Sequence, residues 1–137
     1  MYKRIAKTVF VYRGKYWYLN LKYIPTYFKQ VHYFKKYGYE QSAIWNTFDW
    51  FIHTMRNILT EYNKTRCGFP LLGMNSEEEA EKAWDNIVKE MISLLDDMDE
   101  YNDKYENISV EEQYKMMKQA KDRFFELFSK YFYELWD

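Results

Sequence analysis

The chain has 137 residues, of which 47% are hydrophobic and 30% are charged, and its net charge is −1. This composition is typical of a globular protein and excludes a disordered chain, and the length fits one domain with its own core. The single cysteine, Cys67, excludes an internal disulfide framework. No segment has the ~18 consecutive apolar residues of a membrane span, and no signal peptide is recognisable. We therefore expect a cytoplasmic protein without a membrane partner.

The charges are unevenly distributed along the chain. Residues 1–40 carry nine basic residues and one acidic residue, whereas residues 41–106 carry six basic and fourteen acidic residues. This asymmetry predicts a basic surface formed by the N-terminal third and an acidic surface formed by the middle of the chain.

The first 24 residues predict a short β-hairpin. Segments 8–12 and 16–21 are rich in β-branched and aromatic residues, and Gly14 between them can adopt the positive φ of a tight loop. Two alternatives stay open, namely a helix over residues 3–23 and a mobile basic arm. After Pro25, residues 26–37 show helical spacing up to Gly38, a residue type that commonly ends helices.

The stretch 41–64 has the most regular apolar pattern in the chain. Its large apolar residues recur at alternating spacings of three and four, which predicts an amphipathic helix with a buried stripe. The stripe consists of Trp45, Phe48, Ile52, Met55, Leu59 and Tyr62. The loop that follows, residues 63–74, is apolar enough to lie on the core.

Two further helices begin at capping-box motifs, in which a serine precedes a glutamate by three residues. Ser76 with Glu79 opens a helix predicted over 76–106, and Ser109 with Glu112 opens a helix predicted over 110–136. With short connections, the three long helices should pack antiparallel. The predicted fold is a mainly α single domain over 1–137, an antiparallel three-helix bundle with the short helix 26–37 and the N-terminal hairpin.

Several short motifs can be compared with those of known proteins. Gly38-Tyr39 precedes a helix carrying Trp45 and Asp49, a Gly68-Phe69-Pro70 loop leads to acidic residues, and residues 128–136 form an aromatic tail. Over residues 34–137 the chain resembles a widespread group of small bacteriophage-encoded proteins of unassigned function. The chain departs from that group in its first thirty residues. It also lacks the aliphatic-Pro-Arg run that the group would have near residue 57.

The resemblance implies a phage origin and an accessory role, and it carries no catalytic residue. Small accessory phage proteins often inhibit host machinery or host defence. We therefore expect a non-enzymatic protein that binds and inhibits or redirects a host protein or ribonucleoprotein complex, of an anti-CRISPR-like or nucleic-acid-processing kind. No cofactor is expected, and whether the chain self-associates stays open.

Catalysis and metal binding have weak sequence support. Asp49 and His53 are four residues apart on one helix face, where a carboxylate could orient an imidazole for general-base chemistry. Such a pair is more often a hydrogen bond that supports the fold than part of a catalytic site. No serine or cysteine nucleophile is placed beside it by helical spacing. The acidic residues lack the spacing of a calcium loop, and one cysteine with two histidines is too few for a structural zinc site.

Two charged surfaces are candidates for binding. The first is an acidic face that could imitate a phosphate backbone for a basic host surface, and its residues are Asp96, Asp97, Asp99, Glu100 and Asp103. The alternative is a nucleic-acid-binding surface in the N-terminal third, in which bases contact phosphates and rings stack on bases. Its residues are Arg13, Lys15, Tyr16, Trp17, Lys22, Lys35 and Lys36.

Overall fold

The structure is a computed structural model that describes residues 9–10, 14–39 and 41–135. These residues belong to two compact units, Met1–Thr47 and Phe48–Asp137. Within the described ranges the chain is mainly helical and contains no strand, which confirms the mainly α class. None of the helices in this part of the chain has the length and apolarity needed to cross a bilayer.

The first unit contains a 3-10 helix followed by an α-helix. Residues Gly14–Tyr23 form the 3-10 helix, so the prediction of a strand over 16–21 is wrong. The predicted first strand, 8–12, falls mostly outside the described residues. Gly14 does adopt a positive φ of 58°, but it begins the 3-10 helix. A two-stranded hairpin without a third strand is only marginally stable. The β-branched and aromatic residues of this segment were therefore not sufficient to form strands.

Helix α1 spans Ile24–Tyr37 and begins two residues earlier than predicted, because Pro25 fits in its first turn, where no backbone N–H is needed. Gly38 ends it as predicted. Its φ is 80° and its N–H donates to the Phe34 carbonyl at 2.8 Å. Tyr27 of α1 packs against Phe10 with 5.3 Å between ring centroids.

Helix α2 spans Thr47–Thr65, so the predicted start at residue 41 is wrong. Residues Gln41–Ile44 instead form a separate 3-10 turn, and the Thr47 hydroxyl donates to the Ala43 carbonyl at 2.9 Å. Trp45 therefore lies before the helix and is 87% exposed. Its predicted burial, and that of Phe48, which is 51% exposed, are corrected by this shorter helix.

Helix α3 spans Glu77–Met98 and helix α4 spans Val110–Lys130. Both predicted serine caps are confirmed. The Ser76 hydroxyl accepts from the Glu79 N–H at 3.4 Å, and the Ser109 hydroxyl accepts from the Glu112 N–H at 3.2 Å. Short 3-10 turns follow the two helices at Asp103–Tyr105 and Phe132–Glu134, so the predicted ends at 106 and 136 are too late.

The early end of α3 has a local cause. Asp99 Oδ1 accepts from the Tyr101 N–H at 3.0 Å, and Asn102 Oδ1 accepts from the Lys104 N–H at 3.1 Å. Such short polar side chains bond to nearby backbone and compete with helix continuation. The hydroxyl of the buried Tyr105 donates to the Asp97 carbonyl at 2.6 Å. It thereby provides a hydrogen bond to one of the carbonyl groups in the last turn, which have no donor within the helix.

Contacts along the helices of the second unit establish a bundle. Trp84 and Tyr131 have ring centroids 5.5 Å apart, and Arg123 Nε donates to Glu90 at 2.8 Å, so α3 and α4 are antiparallel. Trp84 Nε1 also donates to the hydroxyl of Tyr62 at 3.1 Å, which joins the first half of α3 to the end of α2. The Arg56–Asp96 pair joins the end of α3 to an earlier part of α2, so α2 and α3 are antiparallel too. These directions agree with the predicted antiparallel bundle.

The core of the second unit consists of side chains from all three helices. Phe69 and Leu72 of the 66–76 loop pack against it, as predicted for this loop. The buried members are Ile52, Leu59, Trp84, Val88, Met91, Leu95, Met98, Ala120, Phe124 and Leu127. Helices α3 and α4 approach each other most closely, and α2 contributes the buried Ile52 and Leu59 to the same core.

Candidate functional site

A polar cluster joins α2 to the end of α3. His53 Nε2 lies 3.1 Å from Asp49 Oδ1, which confirms that this predicted pair forms, and 3.9 Å from Asp99 Oδ2. Arg56 Nη1 donates to Asp96 Oδ1 at 2.7 Å. The structure thus brings two residues of the predicted acidic face onto the predicted histidine face of α2.

The hydrogen bonds of this cluster define what His53 can do. Arg56 Nη2 lies 3.4 Å from His53 Nδ1, a contact in which the guanidinium donates and the imidazole nitrogen accepts. Nε2, on the other side of the ring, faces Asp49. The Nδ1 lone pair that a general base would use is engaged by Arg56. His53 and Arg56 therefore link α2 to the carboxylates at the end of α3.

The remaining residues of the predicted acidic face are less closely grouped. Asp97 forms an ion pair with Lys104. Glu100 accepts a hydrogen bond from the Tyr101 hydroxyl, and this bond raises the pKa of Tyr101. Asp103 begins the 3-10 turn after α3 and is exposed. The five carboxylates therefore do not form one free surface, because Asp96 and Asp97 already have cationic partners.

A second ion-pair network joins the end of α2 to the middle of α3. The Asp85 carboxylate accepts from both Arg66 and Lys89, and these bonds, that of Lys89 most strongly, hold the pKa of Asp85 below its ordinary value. The side chain of Arg66 is only 8% exposed. Sequence reasoning did not identify this network, since its helices are joined through residues nineteen positions apart.

The basic aromatic surface lies on the first unit. We define it as the exposed lysines and aromatic rings of residues 14–39. Its members are Lys15, Tyr16, Trp17, Tyr18, Lys22, Phe28, Lys29, Lys35, Lys36 and Tyr37. This segment contains five lysines and no aspartate or glutamate. All six predicted residues within it are exposed, and the seventh, Arg13, lies outside the described residues.

Several lysines of this surface lie beside aromatic rings. Lys15 Nζ is 5.1 Å from the centroid of Tyr16, and Lys36 Nζ is 4.9 Å from that of Tyr37. These distances are within the range of cation–π attraction. The arrangement places a positive charge and a ring side by side, as contacts with a phosphate and an adjoining base require.

A tyrosine cluster lies at the C-terminal end of α1. Because Gly38 has a positive φ, the chain turns back and Tyr39 reaches the helix. The ring centroids of Tyr33 lie 4.6 Å from Tyr37 and 5.8 Å from Tyr39. A hydrogen bond with Tyr39 raises the pKa of Tyr33. Tyr37 is therefore an exposed ring supported by its neighbours.

No group of three or more histidine, cysteine, aspartate or glutamate side chains within the described ranges is arranged to hold a metal ion. No known family, curated protein or solved structure matches the chain. The functional proposals below therefore depend on the geometry and charge of the chain itself.

Proposed function

We propose that the protein acts by non-covalent binding and that its basic aromatic surface holds a nucleic acid in the cytoplasm of the host cell. The observation that carries this proposal is the exposure of five lysines and several large rings in a segment without any acidic residue. Such a surface attracts phosphates by charge, and its exposed rings can contact bases.

The distribution of acidic residues supports this choice between the two candidate surfaces. Residues 14–39 contain five lysines and neither aspartate nor glutamate, so this segment carries only positive side-chain charge. On the acidic face, by contrast, Asp96 and Asp97 are paired with Arg56 and Lys104. A partner would have to displace these intramolecular contacts, so that face has less free charge than the sequence indicates.

The test is equilibrium binding of fluorescent oligonucleotides to the full chain and to two charge-matched variants. The first variant removes four lysines of the basic aromatic surface, Lys15, Lys22, Lys35 and Lys36, by replacement with Gln. The second removes four exposed lysines of the second unit, Lys82, Lys115, Lys118 and Lys121, in the same way. Both variants have the same net charge, so they separate the surface from the total charge of the protein.

We expect the first variant to bind at least about tenfold more weakly, because it loses several phosphate contacts. The second variant should stay within about twofold of the unmodified protein. Equal losses in both variants would contradict the proposal, as would the absence of binding to any oligonucleotide at low salt. Circular dichroism of each variant verifies that the helices are retained.

A protein partner is the second candidate, and one observation favours it. Exposed carboxylates remain on α3 and on the turn after it, and within the described ranges they take part in no ion pair. Among them are Glu77, Glu78, Glu81, Glu100 and Asp103. Through Glu100 and Asp103, the two that belong to the predicted acidic face, the protein would dock on a basic groove of a host complex and inhibit it.

Affinity capture from host lysate, with and without nuclease, distinguishes the two candidates. A protein captured equally well after nuclease treatment supports the second candidate if its binding weakens at least about tenfold in the variant E100Q/D103N. The matched control is E77Q/E78Q, which removes the same charge at the other end of α3. Equal effects of the two variants would exclude the acidic face named above.

A further inference from the structure

Phe28 is the most exposed of the phenylalanines in the described first unit, with 64% of its surface accessible. The other large side chains of α1 differ in their surroundings. Tyr27 packs against Phe10, and Phe34 is half-buried. Residues 27, 31 and 34 share the inner side of the helix because helical neighbours recur every three or four positions. Phe28 lies away from that side, and its exposed ring meets the Tyr27 ring edge to face with 5.7 Å between centroids.

Basic side chains surround Phe28 on the exposed face of α1. His32 is one turn further along the helix, and Lys35 and Lys36 are two turns further, so they share its side of the helix. Lys29 is its immediate neighbour. All four are exposed. The ring thus lies beside three lysine charges, and residues 28–36 include no carboxylate.

We propose that Phe28 is a stacking platform for an unpaired base and that the nucleic acid bound by this surface is single-stranded. This inference rests on the function proposed above. The flanking lysines contact the phosphates on either side of the stacked base. A base within a duplex is already stacked on both faces and cannot present a face to Phe28. A duplex would therefore be held by the lysines alone.

Trp17 extends the same chemistry to the 3-10 helix. It is 62% exposed, and Lys15 and Lys22 are close to it along the chain. Stacking is tolerant of base identity, since every base has a π face, so two such rings give affinity without a defined sequence preference. The surface should accept unpaired bases of either RNA or DNA.

The experiment compares Phe28→Leu, which keeps an apolar side chain, with Phe28→Trp, which keeps a ring. The matched control is Tyr114→Leu, which removes an equally exposed ring from the second unit. Each full-length variant is titrated with single-stranded DNA, single-stranded RNA and duplex DNA of one length. Vesicles of mixed anionic and zwitterionic phospholipid form a fourth probe, because an apolar residue among lysines is also compatible with a lipid surface.

We expect Phe28→Leu to weaken single-strand binding at least about fivefold, the effect of one lost base–ring contact, and to change duplex binding by less than about twofold. Phe28→Trp should restore single-strand binding, and Tyr114→Leu should have no effect. Loss of binding to either single-stranded probe, RNA or DNA, supports the inference, and the tighter of the two shows which kind of strand the surface prefers.

The outcomes that would overturn the stacking role alone differ from those in which the proposed function fails as well. Equal loss of single-strand and duplex binding in Phe28→Leu, or no loss in either, leaves nucleic-acid binding intact but removes the stacking role. Vesicle binding by the unmodified protein without oligonucleotide binding assigns the surface to lipid. If no oligonucleotide binds at any salt concentration, the proposed function itself fails and the inference fails with it.

Discussion

At the scale of single residues, ion pairs determine what the acidic residues of α3 do. Negative charge near a helix C-terminus opposes the helix dipole and lowers stability by some tenths of a kcal/mol per residue. Asp96 offsets this cost by pairing with Arg56 across to α2, and Asp97 does so by pairing with Lys104. Two carboxylates of the predicted acidic face therefore have a stabilising partner.

The Arg56–Asp96 pair should make a small, measurable contribution to stability. Its side chains are 34% and 43% exposed, so solvent screens the attraction, and we expect a coupling of about 0.5 kcal/mol in a double-mutant cycle with alanine. The control cycle is Lys64–Glu61, whose side chains are 61% and 69% exposed and should couple less. Urea unfolding of each variant gives the values. Equal couplings in the two cycles would contradict a bridging role for Asp96.

The Asp85 network predicts a pH dependence. Lys89 and Arg66 lower the pKa of the Asp85 carboxyl in the folded protein. A carboxyl of this kind stabilises the fold above its unfolded pKa, about 3.9, and that contribution is lost as the pH falls through the lower folded value. We expect Asp85→Asn to reduce stability at pH 7 and to flatten the loss of stability between about pH 5 and about pH 2. Parallel pH profiles in the two proteins would contradict this assignment.

At the scale of elements, helix boundaries with a local sequence signal were predictable, and those without one were not. The serine caps at Ser76 and Ser109 act through a local hydrogen bond that the spacing of serine and glutamate indicates, and both were predicted. The end of α3 was not, because no Gly or Pro marks it and Asp99 and Asn102 end the helix by bonding to nearby backbone. Likewise, the pattern of α2 did not reveal that its first turn begins only at Thr47.

The corrected position of α2 predicts which apolar residues matter for stability. Ile52 is 2% exposed, and Ile52→Ala should lower the free energy of unfolding by about 2–5 kcal/mol because it opens a cavity in the core. Ile58 is the matched control on the same helix, since it is 53% exposed. Ile58→Ala should cost less than about 1 kcal/mol. Similar losses in both variants would show that the buried stripe is misassigned.

At the scale of the whole molecule, the sequence predicted the exposed lysines and a contact within one helix, but not a contact between distant residues. The lysines predicted for the N-terminal surface are exposed where the structure describes them. The spacing of Asp49 and His53 likewise predicted their contact. The pairing of Arg56 with Asp96 was not predictable, since it joins residues forty positions apart. Phe28 was also missed, because the adjacent Tyr27 and Phe28 look alike until the inner side of α1 is known.

The salt dependence of single-strand binding tests the central claim most directly. For single strands, the logarithm of the affinity falls with the logarithm of salt by about 0.7 per phosphate contact, because each contact releases a counterion. Five contacting lysines give a slope of about −3.5, and the variant lacking Lys15, Lys22, Lys35 and Lys36 should flatten that slope by about 3. Fluorescence anisotropy over a series of salt concentrations measures both slopes. A slope near zero, or one that the four substitutions leave unchanged, would contradict nucleic-acid binding by the basic aromatic surface.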